Sequence, residues 1–221
     1  MHMEHIPEIA AGQLVRAPLV PSIRPPVLFL LHGYGSNAED LFDLAPALPP
    51  EFLVVSLQAP LTLFPGQYAW FPLDWSSGTP IANPAHVSTA RTVVREWIAT
   101  FLKDAPVDLE RVFLLGFSQG AILSLAVAPL LTLKGVVALS GRFPHECAPE
   151  DSSLSGLRVF MGHGESDPAI PIDLARRARA RLEQGECVLE YEEYAHGHGI
   201  SPQEAMDVSA WLASALRSSS C

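Results

Sequence analysis

Cysteine is scarce in this chain of 221 residues: three, Cys147, Cys187 and Cys221, share no close spacing. An odd, scattered set excludes both a disulfide framework and a zinc pattern, and it points to a reducing compartment. Basic charge is also in short supply. The formal net charge of −10 argues against nucleic acid and acidic membrane surfaces as partners, because both would be repelled. Low-complexity linkers and internal repeats are missing, so a single domain over residues 1–221 is expected. The N-terminal stretch MHMEHIPEIAAG has neither a basic segment nor an apolar one of the kind that opens a secretory signal, so a cytoplasmic protein is expected. No stable membrane insertion is expected either. Gly120–Leu139 has about the length of a bilayer span, but Pro129 and Gly135 punctuate it, and a helix, a turn and a buried strand account for it better.

What the chain does have is apolar residues, 48%, against 17% charged, the balance of a globular core. They fall into short runs: Val27–Leu31, Phe52–Leu57, Val112–Gly116, Gly135–Leu139, Leu157–Gly162 and Val188–Tyr194. Most are continuously apolar, as strands of a parallel sheet covered on both faces must be. Helical stretches lie between them, over Ala38–Ala47, Val87–Lys103, Gln119–Leu131, Ile172–Gln184 and Pro202–Leu216. Alternation of this kind predicts an α/β fold, a mostly parallel central sheet with helices on both faces. The stretch from Gly141 to Gly156 is too short for a large helical cap. Gln58–Asn83 is irregular and rich in aromatics, and reads as a loop packed on the core or as an apolar wall beside a site.

One polar cluster breaks the most apolar part of the sequence. In VFLLGFSQGAILSL, Gly116-Phe117-Ser118-Gln119-Gly120 follows a strand and precedes a helix, the Gly-x-Ser-x-Gly pattern of a nucleophile elbow. The serine is presented at the strand's C-terminal edge and at a helix N-terminus, where developing negative charge is favoured. A serine needs a base, and the base an orienting acid, in the chain order Ser, acid, His. Two histidines, His196 and His198, sit in the loop after Val188–Tyr194; His198 is preferred and His196 is its rival. Asp167, in the loop after Leu157–Gly162 and before a proline, is the acid; Asp151 lies far from any strand end. Oxyanion donors are expected at the N–H of Gln119 and, from the glycine-bracketed turn after the first central strand, at the N–H of Tyr34.

LHGYG, GFSQG, LSGRFP, HGESDPAIP and YAHGHGISPQE, in this order, resemble the phospholipase/carboxylesterase family of α/β-hydrolases, which includes bacterial carboxylesterases and acyl-protein thioesterase-like enzymes. The resemblance runs from about Val27 to the C-terminal helix. It implies Ser118, Asp167 and His198 as a triad with the Tyr34 and Gln119 amides as oxyanion donors, and an α/β-hydrolase fold with a minimal cap or none. The expected activity is hydrolysis of carboxylic esters of small to medium acyl chain, with a thioesterase or lysophospholipase as the alternative and a peptidase or an inactive binding module behind it. Trp70, Phe71 and Ile170 are the candidate lining of the substrate site. No cofactor is expected, and no metal, since alternation along the strand sends Glu192 and Glu193 to opposite faces. The expected partners are a small-molecule ester substrate and, at most, a second copy of the chain. His32 and His163 read as structural hydrogen-bonders, and Arg176–Arg181 as a solvated helix face.

Overall fold

The computed structural model describes residues 6–76, 80–147 and 154–218. Asp151 and Cys221 lie outside the described residues. Among these residues seven strands form the main sheet: β1 (Leu14–Arg16), β2 (Val27–Leu31), β3 (Leu53–Leu57), β8 (Val112–Phe117), β9 (Gly135–Leu139), β10 (Arg158–Gly164) and β11 (Val188–Tyr194). Their spatial order is β1-β3-β2-β8-β9-β10-β11. All neighbours pair in parallel except β1, which runs antiparallel along β3. In β2, Val27, Phe29 and Leu31 enter one apolar cluster while Leu28 and Leu30 enter the other. That division is why the strand is apolar at every position: each face of the sheet has its own core.

Among the described residues five α-helices cover those faces: α1 (Ala38–Phe42), α2 (Pro84–Asp104), α3 (Gln119–Val127), α4 (Ile172–Gln184) and α5 (Pro202–Arg217). Val87, Val94, Ile98 and Phe101 of α2, Leu123 of α3 and Leu182 of α4 pack into the first cluster. Leu41 of α1 and Val208, Trp211 and Leu212 of α5 pack into the second. The chain therefore has the α/β-hydrolase architecture read from its sequence.

Local corrections have simple causes. The helix expected over Ala38–Ala47 stops at Phe42 and resumes as a 3₁₀ turn over Ala45–Ala47. The one expected over Gln119–Leu131 stops at Val127 and tightens to 3₁₀ over Ala128–Leu130. Pro46 and Pro129 lack an N–H and would press on the carbonyl four residues back, so neither α-helix can continue. Helix α2 starts three residues before the expected Val87, at Pro84, because the Asn83 side chain accepts the Ala85 N–H at 2.9 Å and caps it. The aromatic segment is less irregular than its composition implies. It forms a hairpin, β4 (Leu61–Phe64) with β5 (Gln67–Ala69), turning at Gly66 with φ +77°, and a short pair, β6 (Leu73–Asp74) with β7 (Ile81–Ala82).

The arginine run on α4 is tied to its own surroundings. Arg176 donates to both carboxylate oxygens of Glu193 at 2.8 Å, and the Tyr191 hydroxyl donates to Glu193 Oε1 at 2.9 Å. The bond from Arg176 holds the Glu193 carboxyl down at about 2. A depressed folded-state value contributes stability that is present above the unfolded value of about 4.3 and is lost as pH falls towards about 2. Glu193→Gln is thus expected to lower Tm by roughly 2 °C at neutral pH. The difference from the parent should close only as pH falls to about 2; a difference that persists below that would show that the pair acts through packing instead.

Candidate active site

The loops after β2, β8, β10 and β11 converge at the C-terminal edge of the sheet, where ligands gather in open α/β sheets. Ser118 sits at the turn between β8 and α3 with φ +55° and ψ −115°, a conformation that L-residues rarely adopt. The flanking glycines allow it. A Cβ on Gly116 would lie 2.2 Å from the Gly120 carbonyl oxygen, and one on Gly120 would lie 1.9 Å from that of Leu31. The elbow is therefore packed backbone to backbone, with the start of α3 pressed on the end of β2.

The sequence-predicted serine, acid and base meet in one hydrogen-bonded line. His198 Nε2 is 3.0 Å from Ser118 Oγ, and His198 Nδ1 is 2.7 Å from Asp167 Oδ2. The Asp167 side chain is fully buried, whereas that of His198 is 24% exposed, so the ring can meet a ligand while the Asp167 carboxylate cannot. Asp167 Oδ1 accepts the N–H groups of Ala169 and Ile170 at 2.8 and 2.9 Å. His198, not its rival His196, is the histidine that reaches the serine.

Two buried histidines stand beside this line. His163 Nε2 is 2.8 Å from the Ile170 carbonyl and 3.4 Å from Asp167 Oδ2; burial pushes its pKa down. His32 Nε2 accepts the Ala59 N–H at 3.1 Å and its Nδ1 lies 2.8 Å from the Gly33 carbonyl. Burial lowers its pKa as well. A neutral ring with its hydrogen on Nδ1 satisfies these two contacts, and its Nε2 also faces the Gln58 amide nitrogen at 3.3 Å.

Gln119 answers for its own presence in an apolar run. Its side chain accepts the Trp70 N–H at 2.8 Å and donates to the Phe71 carbonyl at 2.7 Å. The Trp70 indole N–H donates to the His32 carbonyl at 2.8 Å. The aromatic segment is thereby clamped to the elbow and to the loop after β2. Sequence reasoning missed this role, because the partners are loop backbone atoms that no motif marks. The Tyr34 and Gln119 amides, the candidate oxyanion donors, make no backbone hydrogen bond among the described residues, and a Cβ on Gly33 would lie 3.2 Å from the Phe117 ring and 3.4 Å from the Ser118 Cβ.

Two cavities among the described residues bear on the predicted substrate lining, and only the first touches His198. One of about 380 Å3 opens beside His198, between Leu41, Leu44, Phe117 and Ile200, with Ser36 and Asp40 also on its wall. The other, about 270 Å3, lies between α2 and the aromatic segment, where Trp70 and Phe71, both almost wholly buried, form part of its lining. The Ile170 side chain lines neither of these two.

A parallel sheet with helices on both faces and a serine at a strained strand-to-helix turn is the frame of an α/β-hydrolase. Within that class the chain belongs to the phospholipase/carboxylesterase family, whose model matches residues 21–216. It is 30% identical to acyl-protein thioesterase 1 of Kluyveromyces lactis over 67% of this chain and 69% of that one. With acyl-protein thioesterase 1 of Candida albicans it shares 28% identity over 88% of this chain and 94% of the relative. Among solved structures, esterase PE8 is similar with a TM-score of 0.77 and 27% identity, over 93% of this chain and 98% of that one. The carboxylesterase of Bacillus cereus, at 22% identity and a TM-score of 0.80 over 92% and 93% of the two chains, shares the fold. The protein is a hydrolase of the esterase/thioesterase type. Among the described residues no helix is long and apolar enough to cross a membrane.

Proposed function

We propose that this protein hydrolyses carboxylic esters of small to medium acyl chain through an acyl-enzyme on Ser118. The observation that carries the reading is the line Ser118–His198–Asp167, with contacts of 3.0 and 2.7 Å. His198, holding its hydrogen on Nδ1 towards Asp167, offers the Nε2 lone pair to the serine hydroxyl. As Ser118 Oγ bonds to the ester carbonyl carbon, its proton passes to Nε2 and the carbonyl electron pair moves onto oxygen. The N–H groups of Tyr34 and Gln119 stabilise that oxyanion. Collapse breaks the bond to the leaving alkoxide, which takes the proton from Nε2. Water then repeats the sequence on the acyl-enzyme and returns free Ser118 and the acid. Asp167 stays ionised throughout and fixes the imidazole tautomer. No step calls for a cofactor.

The leaving oxygen takes its proton from His198, so the 380 Å3 cavity beside that ring is suited to the leaving group. A second reading, hydrolysis of acyl thioesters, is favoured by the relatives named acyl-protein thioesterase 1. The triad chemistry is the same for both. A chain-length series of p-nitrophenyl esters, run beside an acyl thioester and a lysophospholipid, separates them. The expected result is turnover of the esters, with kcat/KM changing up to about fourfold per methylene, the factor that about 0.8 kcal/mol supplies. A kcat/KM consistently higher for thioesters would transfer the assignment to the second reading, and absence of turnover on all three classes would overturn both.

A further inference from the structure

His196 does not reach the serine, yet it is the most heavily connected residue of the loop that carries His198. Its Nδ1 lies 2.8 Å from the carbonyl oxygen of Gly197, and that carbonyl belongs to the peptide bond joining Gly197 to His198. Its Nε2 lies 3.0 Å from Oε2 of Glu204, a carboxyl wholly buried at the start of α5. Its own carbonyl accepts the N–H of Ser166, next to Asp167, at 3.0 Å. Backbone packing closes the arrangement. A Cβ on Gly164 would lie 2.3 Å from the Gly197 oxygen and 2.5 Å from that of His196. His196 thus joins the loop of the acid, the loop of the base and helix α5.

The two ring contacts fix a proton count. A carbonyl oxygen only accepts, so Nδ1 carries a hydrogen. A carboxylate facing a bare ring nitrogen would repel it, so one further proton lies between Nε2 and Oε2. The pair is either imidazolium with carboxylate or imidazole with carboxylic acid, and in both forms it is neutral as a whole. Burial pushes the Glu204 carboxyl above its ordinary range, opposed by the charge of His196. Removing the shared proton leaves a lone pair facing either Glu204 or the Gly197 carbonyl, so one of the two bonds is lost in either tautomer.

We propose that His196 is a positioning residue for His198, locked by one proton shared with the buried Glu204 carboxyl. The inference rests on the reading of His198 as the catalytic base. The groups that face the pair are few. Tyr194 stacks on the His196 ring at 5.9 Å between centroids and donates its hydroxyl to Asp207 of α5 at 3.0 Å. Ser201 N–H makes a long contact of 3.4 Å with Glu204 Oε2. Asp207 acts on Glu204 by charge, and Glu192 of β11 acts on Tyr194. The β10 backbone presents Gly162, where a Cβ would lie 2.5 Å from Glu204 Oε1, and no charge.

The test compares His196→Ala, His196→Gln, Glu204→Gln and His198→Ala on one ester, at a temperature well below each variant's Tm. His196→Ala is expected to lower kcat by between about 10- and 100-fold, the scale of a displacement near 1 Å, with KM within about twofold of the parent. His196→Gln, which can still donate to Glu204, should recover part of that loss. The parent should lose kcat at alkaline pH as the shared proton leaves. Glu204→Gln should not, because an amide donor to His196 does not titrate. A His196→Ala protein with lowered Tm but unchanged kcat would overturn the proposal, as would an alkaline limb that persists in Glu204→Gln. If His196→Ala does not fold, the Glu204→Gln profile alone decides. Full activity in His198→Ala would instead overturn the assignment of the base, and the inference with it.

Discussion

Ser118→Ala is expected to abolish labelling by a fluorophosphonate and to lower kcat by at least about 10³-fold, with the fold intact. The size reflects the atom that the substitution removes. In the proposed mechanism the hydroxyl is the group that attacks, and its contact with His198 Nε2 at 3.0 Å is the route by which its proton leaves. Residual catalysis would come only from the oxyanion donors and from binding. His198→Ala should cost about as much, because a serine hydroxyl without a base is a poor nucleophile. In that mechanism the two residues act as one unit, so the double variant should be little worse than either single one. Intact-mass measurement after labelling checks the first statement, and a double-mutant cycle on kcat checks the last. Stoichiometric labelling that survives Ser118→Ala would remove Ser118 from the mechanism. Additive losses in the cycle would mean that the two residues do not share a step.

The reason so much of this site is legible in the sequence is that its parts sit directly after strands that are themselves legible. Val27–Leu31 and Gly135–Leu139 are apolar at every position because both faces are buried, and a small or polar residue marks the end of each. His32-Gly33, Gly116-Phe117-Ser118 and Ala195-His196-Gly197-His198 are all breaks at the ends of strands. Strand order and chain order then bring together residues that are 80 and 31 positions apart. Distances within a loop are another matter. His196 and His198 come after the same strand, and only the path of the backbone past Gly164 sends one ring towards Glu204 and the other towards Ser118. The clamp between Gln119 and the aromatic segment spans 49 positions and ends on backbone atoms, so composition holds no trace of it. β1 escapes for a different reason. Its three residues are half-buried and pair antiparallel at the sheet's edge, too short a stretch for a period of two to show. Pro46 and Pro129 are visible signals, but apolar spacing continues past each of them and makes the helices they stop look longer than they are.

Gly120→Ala is expected to be the most damaging alanine substitution among the described glycines. The added carbon would lie 1.9 Å from the Leu31 carbonyl oxygen, 2.5 Å from its carbon and 2.7 Å from the His32 oxygen. None of these atoms ends a flexible side chain; all are backbone at the end of a central strand paired on both sides. Relief requires α3 to withdraw from β2, and α3 is buried along its whole length. Overpacking ordinarily costs about 1–3 kcal/mol; here the clash is with fixed backbone, and a loss above about 4 kcal/mol is expected. Gly199→Ala is the matched comparison, since its Cβ would meet nothing within 4 Å, and its urea midpoint should stay close to the parent's. Withdrawal of α3 would also move the Gln119 amide and the Ser118 hydroxyl together, because both belong to the turn that the glycine holds. Any Gly120→Ala protein that folds should therefore label slowly with fluorophosphonate even at temperatures where its unfolding is negligible. A midpoint and a labelling rate both equal to the parent's would show that the elbow can yield at Gly120, and that close packing against β2 is not what presents Ser118.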